Sequence, residues 1–194
     1  MNLIDIRQNL AYRITNPIVR ILSKSGITPN ALTFVNLALS MAAAYVIATG
    51  RLPLGGILIL VSGLFDLLDG ALARFTKRTT KFGAVLDSTV DRISEAAILC
   101  GLLIWYVPQE DVSLEIVLVL VVLIGSFLVS YIRARAEGVG WQCQVGLFTR
   151  AERVIVLAIG LLINQIFIAL CILAVFAFVT VVQRLVYLWK QERI

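Results

Sequence analysis

The sequence predicts an all-α integral membrane protein, with six transmembrane helices preceded by an N-terminal amphipathic juxtamembrane helix. Three observations predict it. Of 194 residues, 60% are hydrophobic and only 15% charged, with a mean hydropathy of +0.94, whereas a soluble domain runs near 45–50% apolar and about 25% charged. The apolar residues gather in charge-free runs that approach the length needed to cross a bilayer, about 20 residues. Lysine and arginine fall almost entirely on one side of those runs. The length bounds the chain to a single domain, 1–194. Disorder is excluded, because a disordered chain is poor in apolar residues and rich in charge. Three cysteines are an odd number, and Cys100 and Cys171 sit inside apolar runs, which excludes a disulfide scaffold. There is no histidine, so catalysis must run on carboxylates and any metal site must be built from oxygen.

The elements follow in order. In residues 1–30, Leu3, Ile6, Leu10 and Ile14 recur at three- and four-residue spacing with Arg7 and Arg13 between them, a pattern suited to lying along a membrane surface. Arg7, Arg13, Arg20 and Lys24 leave no continuous apolar stretch for a cleavable signal peptide. Ser25-Gly26 and Thr28-Pro29-Asn30 then break the chain, and Thr28 or Asn30 is placed to cap the next helix. Residues 31–194 form the six-helix bundle. Its spans are 31–50, 52–65 running into Asp66, roughly 84–106, and 116–132. Residues 154–183 are uncharged throughout and as one helix would be about 45 Å long, so Asn164-Gln165 is read as a turn between a short fifth span and a sixth.

Loop charge sets the orientation. With the N-terminus inside, residues 1–30, 75–83, 134–150, the C-terminal tail and the adjoining helix ends hold every Lys and Arg except Arg51. The outer loop near 107–115 holds Glu110, Asp111 and Glu115. Both termini are therefore expected in the cytoplasm. The net charge of +5 reads as this bias, not as a nucleic-acid surface.

Four of the six aspartates fall between residues 66 and 91. Ionisable groups at membrane depth are costly and mark functional sites. Asp66 and Asp69 share one face of the second span at i,i+3; Asp87 and Asp91 share one face of the third at i,i+4. The short 75–83 connection forces a hairpin, so the two pairs face each other at the cytoplasmic end. Four converging carboxylates need compensation. Arg74, Lys77, Arg78 and Lys81 are near, but a bound divalent cation is more economical, and an all-oxygen site suits Mg²⁺, Mn²⁺ or Ca²⁺. Four aspartates can hold two ions, an arrangement used for phosphoryl displacement. Gly70, Ala73 and Gly83 beside them let a backbone or ligand approach closely, and equally permit tight helix packing.

The run Asp66-x2-Asp69-Gly70-x2-Ala73-Arg74-x8-Gly83-x3-Asp87-x3-Asp91 resembles the signature of the CDP-alcohol phosphotransferase family at all eight fixed positions, and the six-span layout resembles that family over the whole chain. The resemblance implies a metal-dependent integral membrane enzyme that moves a phosphate-linked group from a CDP-alcohol to an acceptor hydroxyl and releases CMP. It implies that Asp66, Asp69, Asp87 and Asp91 ligate metal, with Asp66 and Asp87 bridging two Mg²⁺ ions (Mn²⁺ as substitute), and that Asp91 is the general base. It also implies that Gly70 and Arg74 lie near the CDP pyrophosphate, that Thr80 and Thr28, Pro29, Asn30 and Ala31 contact the nucleotide, and that the enzyme is a homodimer in a prokaryotic plasma membrane. The expected donor is CDP-diacylglycerol, attacked in line.

The acceptor is expected to be anionic, because Arg133 and Arg135 end the fourth span and Arg150 and Arg153 open the fifth on the same face as the aspartates. The positive-inside rule accounts for such arginines singly, and Glu137 and Glu152 are expected to pair with some of them. Within the family, these clusters resemble those of members that use inositol 1-phosphate, which implies Ser130, Arg133 and Arg153 as acceptor pocket residues, with Arg193 a weaker candidate. Glycerol 3-phosphate is the rival acceptor. A cation transporter is the reading from another class, but its acids belong near the bilayer midplane, not beside a basic loop. Roles for Glu95, Arg135 and Arg150 are left open.

Overall fold

The computed structural model describes residues 15, 17–143 and 145–192. The amphipathic repeat at residues 3–14 therefore lies outside the described residues. Residues 17–22 are helical, and a turn containing Gly26 at φ 75° leads into the bundle.

Six helices follow: α1 Pro29–Ala48, α2 Leu52–Phe75, α3 Lys81–Tyr106, α4 Ser113–Gly138, α5 Arg150–Leu162 and α6 Ile166–Gln191. No strand occurs among the described residues. Of the two expected caps for α1 it is Thr28 that serves, its Oγ1 accepting from the Ala31 N–H at 3.3 Å, with Pro29 in the first turn where its missing N–H costs nothing. Thr80 does the same for α3, accepting from Gly83 N at 2.9 Å. Tight turns join the helices, and each holds a residue in the left-handed region: Gly50, Lys77, Asp111 and Asn164. Asn and Asp tolerate that conformation best among residues with a side chain. Asn164 ends α5 where the sequence predicts a turn. α2 runs to Phe75, well beyond the apolar run that announces it, so Asp66 and Asp69 lie inside a helix with a full turn beyond them.

α1, α2, α4 and α6 are long and apolar enough to cross a membrane. α3 has 26 residues, but the stretch from its start to Glu95 carries Lys81, Asp87, Asp91, Arg92 and Glu95. α5 has 13 residues, about 20 Å at 1.5 Å per residue. The expectation of six spans thus meets four helices that qualify by length and composition. The other two depart because one houses the charged groups and the other stops short.

The principal packing pairs close a ring: α1 on α2, α2 on α5, α5 on α6, α6 on α4, α4 on α3, and α3 back on α1. Ile47, Ile59, Leu99, Leu102, Val122, Leu161, Leu170 and Leu173 fill its centre. Large apolar side chains also cover the outside, among them Phe34, Ile57, Ile104, Ile124 and Val175. An apolar exterior around an apolar core is the pattern of an integral membrane protein. Where helices cross most closely, backbone meets backbone. A Cβ on Gly101 of α3 would stand 2.4 Å from the Ala44 carbonyl oxygen of α1, and one on Gly56 of α2 would stand 2.8 Å from the Ala158 carbonyl oxygen of α5. Overpacking such a contact costs about 1–3 kcal/mol. Gly101→Ala is therefore expected to lower the thermal unfolding midpoint in detergent, and an unchanged midpoint would show that α1 and α3 can separate freely.

Candidate active site

The hairpin of α2 and α3 brings the aspartates together at one end of the ring. One carboxylate oxygen from each of Asp66, Asp69 and Asp87 can be chosen so that all lie within 4.8 Å of one another. Each is held by a neighbour or left waiting for one. Thr33 Oγ1 donates to Asp69 Oδ2 at 2.9 Å, and Asn36 Nδ2 donates to Asp66 Oδ1 at 3.3 Å. Asp87 Oδ1 is buried with no hydrogen-bond partner, a state that is expensive for a carboxylate unless a cation completes it. These three residues fit a hard divalent ion in donor type, spacing and unmet demand.

Asp91 adjoins this triangle beside Asp66 without belonging to it. Arg150 Nη1 lies 2.7 Å from Asp91 Oδ1 and 2.7 Å from Asp66 Oδ2, bridging α3 and α2. Arg92 adds a longer contact, 3.8 Å from Asp91 Oδ2. The compensating charge thus comes from the start of α5, not from the 75–83 hairpin. Local structure explains its position. Arg150 is the first residue of α5, behind a capping box in which Thr149 N–H donates to Glu152 Oε2 at 2.7 Å. The preceding loop is clamped to α6: Leu147 N–H donates to Gln183 Oε1 at 3.2 Å, Phe148 N–H to Thr180 Oγ1 at 3.2 Å, and Arg184 donates to the carbonyls of Val145 and Val129. Cys143, in the same loop, is a free thiol and fully buried.

Beside the triangle opens a cleft of about 160 Å³ lined by Pro29, Asn30, Gly70, Arg74, Arg78, Thr80 and Gly83, with Asp69 and Asp87 on its wall. Five of the seven residues expected at the nucleotide therefore border one space. The other two, Thr28 and Ala31, are exposed and make the α1 cap outside it. A Cβ on Gly83 would stand 2.9 Å from Thr80 Oγ1 and 3.5 Å from Asn30 Oδ1, so only glycine keeps the cleft open and the cap intact.

The three residues expected at the acceptor are not brought together. Arg153 is buried, and its guanidinium makes a two-point contact with Glu95 at 2.7 and 2.9 Å, which gives Glu95 its partner. Arg133 is exposed and bound to Glu137 at 2.8 Å, as expected for that pair. Ser130 donates to the Ser126 carbonyl and borders a broad groove between α3 and α4 with Arg92, Met41 and Phe127. Arg135 is exposed, and Arg193 lies outside the described residues.

Sequence reasoning missed Thr33, Asn36, Ser40 and Ser62. Ser62 donates to Asn36 Oδ1 and shares a 2.7 Å hydrogen bond with Ser40, so a polar ladder runs from Asp66 into the bundle. The signal was present: residues 33, 36 and 40 recur at helical spacing inside a charge-free span, and Ser62 lies one turn before Asp66.

The CDP-alcohol phosphatidyltransferase profile matches residues 26–186. The chain belongs to the CDP-alcohol phosphatidyltransferase family. Its relatives in that family include an archaetidylinositol phosphate synthase of Pyrococcus horikoshii, 38% identical over 89% of this chain and 90% of the relative. A phosphatidylinositol phosphate synthase of Mycobacteroides abscessus is 38% identical over 89% of this chain and 82% of that one. The crystal structure of the Mycobacterium tuberculosis phosphatidylinositol phosphate synthase with CDP-DAG bound superposes with a TM-score of 0.81 at 37% identity, covering 91% of this chain and 94% of that one. The same enzyme in complex with manganese and citrate gives 0.82 at 36% identity, covering 90% and 88%.

As a family member the chain is an enzyme, and its site predicts how substitutions separate binding from folding. Gly83→Val should abolish binding of a CDP nucleotide while leaving the protein folded; retained nucleotide affinity by calorimetry would dissociate the cleft from the donor. Glu95→Ala strands the buried Arg153 charge and should cost about 3–5 kcal/mol of stability. A loss below 1 kcal/mol in detergent unfolding would show that Arg153 finds water or another partner.

Proposed function

We propose that this enzyme transfers the phosphatidyl group of CDP-diacylglycerol to the hydroxyl of inositol 1-phosphate, giving phosphatidylinositol phosphate and CMP. The observation that carries the reading is that Asp69 and Asp87 belong both to the carboxylate triangle and to the wall of the basic, glycine-floored cleft. A nucleotide diphosphate in that cleft would have its phosphates against the triangle. Similarity over 89% of the chain to an archaetidylinositol phosphate synthase and a phosphatidylinositol phosphate synthase supports the acceptor.

Asp66, Asp69 and Asp87 would hold Mg²⁺, with Mn²⁺ as substitute, and Asp91 would contribute to a second ion. When bound, the metal neutralises the diphosphate and stabilises the departing CMP. Arg74 and Arg78 hold the nucleotide side by charge and hydrogen bonding, with Thr80, Asn30 and the Thr28 to Ala31 turn fixing its approach. Asp91 accepts the proton of the attacking hydroxyl. Ser130, Arg133 and Arg153 receive the acceptor phosphate; reaching it from the present geometry requires Arg133 to leave Glu137, whereas Arg153 can offer Nη1, which has no partner. Six spans, both termini in the cytoplasm, a prokaryotic plasma membrane and a homodimer complete the proposal. Loop charge supports the orientation, the likeness of the 26–186 region to the family supports the layout, and family resemblance supports the dimer.

The test is an acceptor panel. Purified enzyme with CDP-diacylglycerol and Mg²⁺ should release CMP with inositol 1-phosphate and not with free inositol or serine. Faster release with glycerol 3-phosphate would replace the acceptor and leave the chemistry standing. Asp91→Asn should reduce turnover by about 10²–10⁴-fold, the range for losing a general base, while CDP-lipid binding persists. Loss of binding with no separate effect on turnover would remove Asp91 from the base role. Arg153→Ala should raise KM for the phosphorylated acceptor more than for the donor, and equal effects on both would take it out of the acceptor pocket.

A further inference from the structure

We propose that Arg150 is a built-in counter-cation that occupies the second metal position, so that the site loads its two divalent ions unequally and in order. The inference rests on the metal-centre reading above. One guanidinium nitrogen bridges Asp66 Oδ2 and Asp91 Oδ1 at 2.7 Å each, between facing helices. Bridging two carboxylates is what a second cation would do there. By contrast, among the described residues no lysine or arginine forms an ion pair with Asp69 or Asp87. A first ion in the triangle therefore finds an unmet oxygen on Asp87 and meets Arg150 at one ligand only, Asp66, whereas a second must displace it from both Asp66 and Asp91.

The arrangement is built rather than incidental. Asp66 has its other oxygen committed to Asn36, itself fixed by Ser62. Arg150 is anchored at the first position of α5 by the Thr149–Glu152 capping box. The displaced guanidinium also has a destination. Arg150 Nε is buried and unpartnered, and the side chain borders a small interior cavity of about 30 Å³ that Ser94 and Glu95 also line. A swing into that space leaves Asp66 and Asp91 open while the arginine keeps a carboxylate near it. The same movement releases Asp91 from its ion pair, which ties the availability of this carboxylate to the second ion.

The test uses the full chain in detergent and Mn²⁺ alone, following loss of the free-ion electron paramagnetic resonance signal. Wild type should bind two ions with the second clearly weaker. Arg150→Gln should tighten the second by roughly tenfold or more and the first by clearly less, since Arg150 contacts both Asp66 and Asp91 at the second position but Asp66 alone in the triangle. Arg150→Lys keeps a cation and should keep the gap. An unchanged or weaker second ion in Arg150→Gln, with a native elution profile, would overturn the proposal and leave Arg150 as a strut that positions Asp66 and Asp91. Two equal sites in wild type would overturn it even if every variant failed to fold. No Mn²⁺ bound by wild type would instead sink the metal-centre reading itself.

Discussion

Mutual repulsion among four carboxylates gathered in an apolar bundle is the constraint on which the rest of this structure turns. In a medium of low dielectric, like charges a few ångströms apart interact far more strongly than in water, and an uncompensated buried charge is among the most expensive groups a fold can contain. The chain meets this from three directions. α1 supplies neutral donors through Thr33 and Asn36. α5 supplies Arg150. What is left, the triangle with the unpartnered Asp87 oxygen, is the demand a divalent ion fulfils.

Seen this way, features distant in sequence serve one purpose. The clamp of Arg184, Thr180 and Gln183 on the 139–149 loop delivers Thr149 to its capping position, and the cap orients Arg150. The Arg153–Glu95 pair locks α5 against α3 one turn further on. Closing the helices into a ring makes these contacts possible, because α1 and α5 both pack on α2 and each supplies partners to its aspartates.

The sequence made the fold class and the reactive core legible for a local reason. Charge-free runs, cap residues and i,i+3 or i,i+4 spacing are properties of neighbouring residues, and so is the Asp66–Asp91 signature. The partners of Glu95 and Arg150 were not legible, because each is set by packing between helices whose residues lie 58 or more positions apart. Arg74, Lys77, Arg78 and Lys81 lie near the aspartates in sequence, yet none forms an ion pair with them among the described residues. The scattered arrangement of Ser130, Arg133 and Arg153 has the same origin: helix ends near in sequence present side chains to different neighbours. The short fifth span was legible from the Asn164-Gln165 turn, and α5 stops there, while α3 carries charge along its N-terminal part.

That shortness has a consequence of its own. α4 and α6 each have 26 residues, about 39 Å, and overreach a hydrocarbon layer of about 30 Å, whereas α5 covers about 20 Å. Its first residue, Arg150, meets Asp66 in the body of α2, about 14 Å along the helix before its end at Phe75. The reaction centre therefore stands inside the helix ends, at the depth where the headgroups of lipids around the protein lie. The lipid can then react while its chains stay in the leaflet, and the work of lifting it toward water is avoided by the outline of the protein.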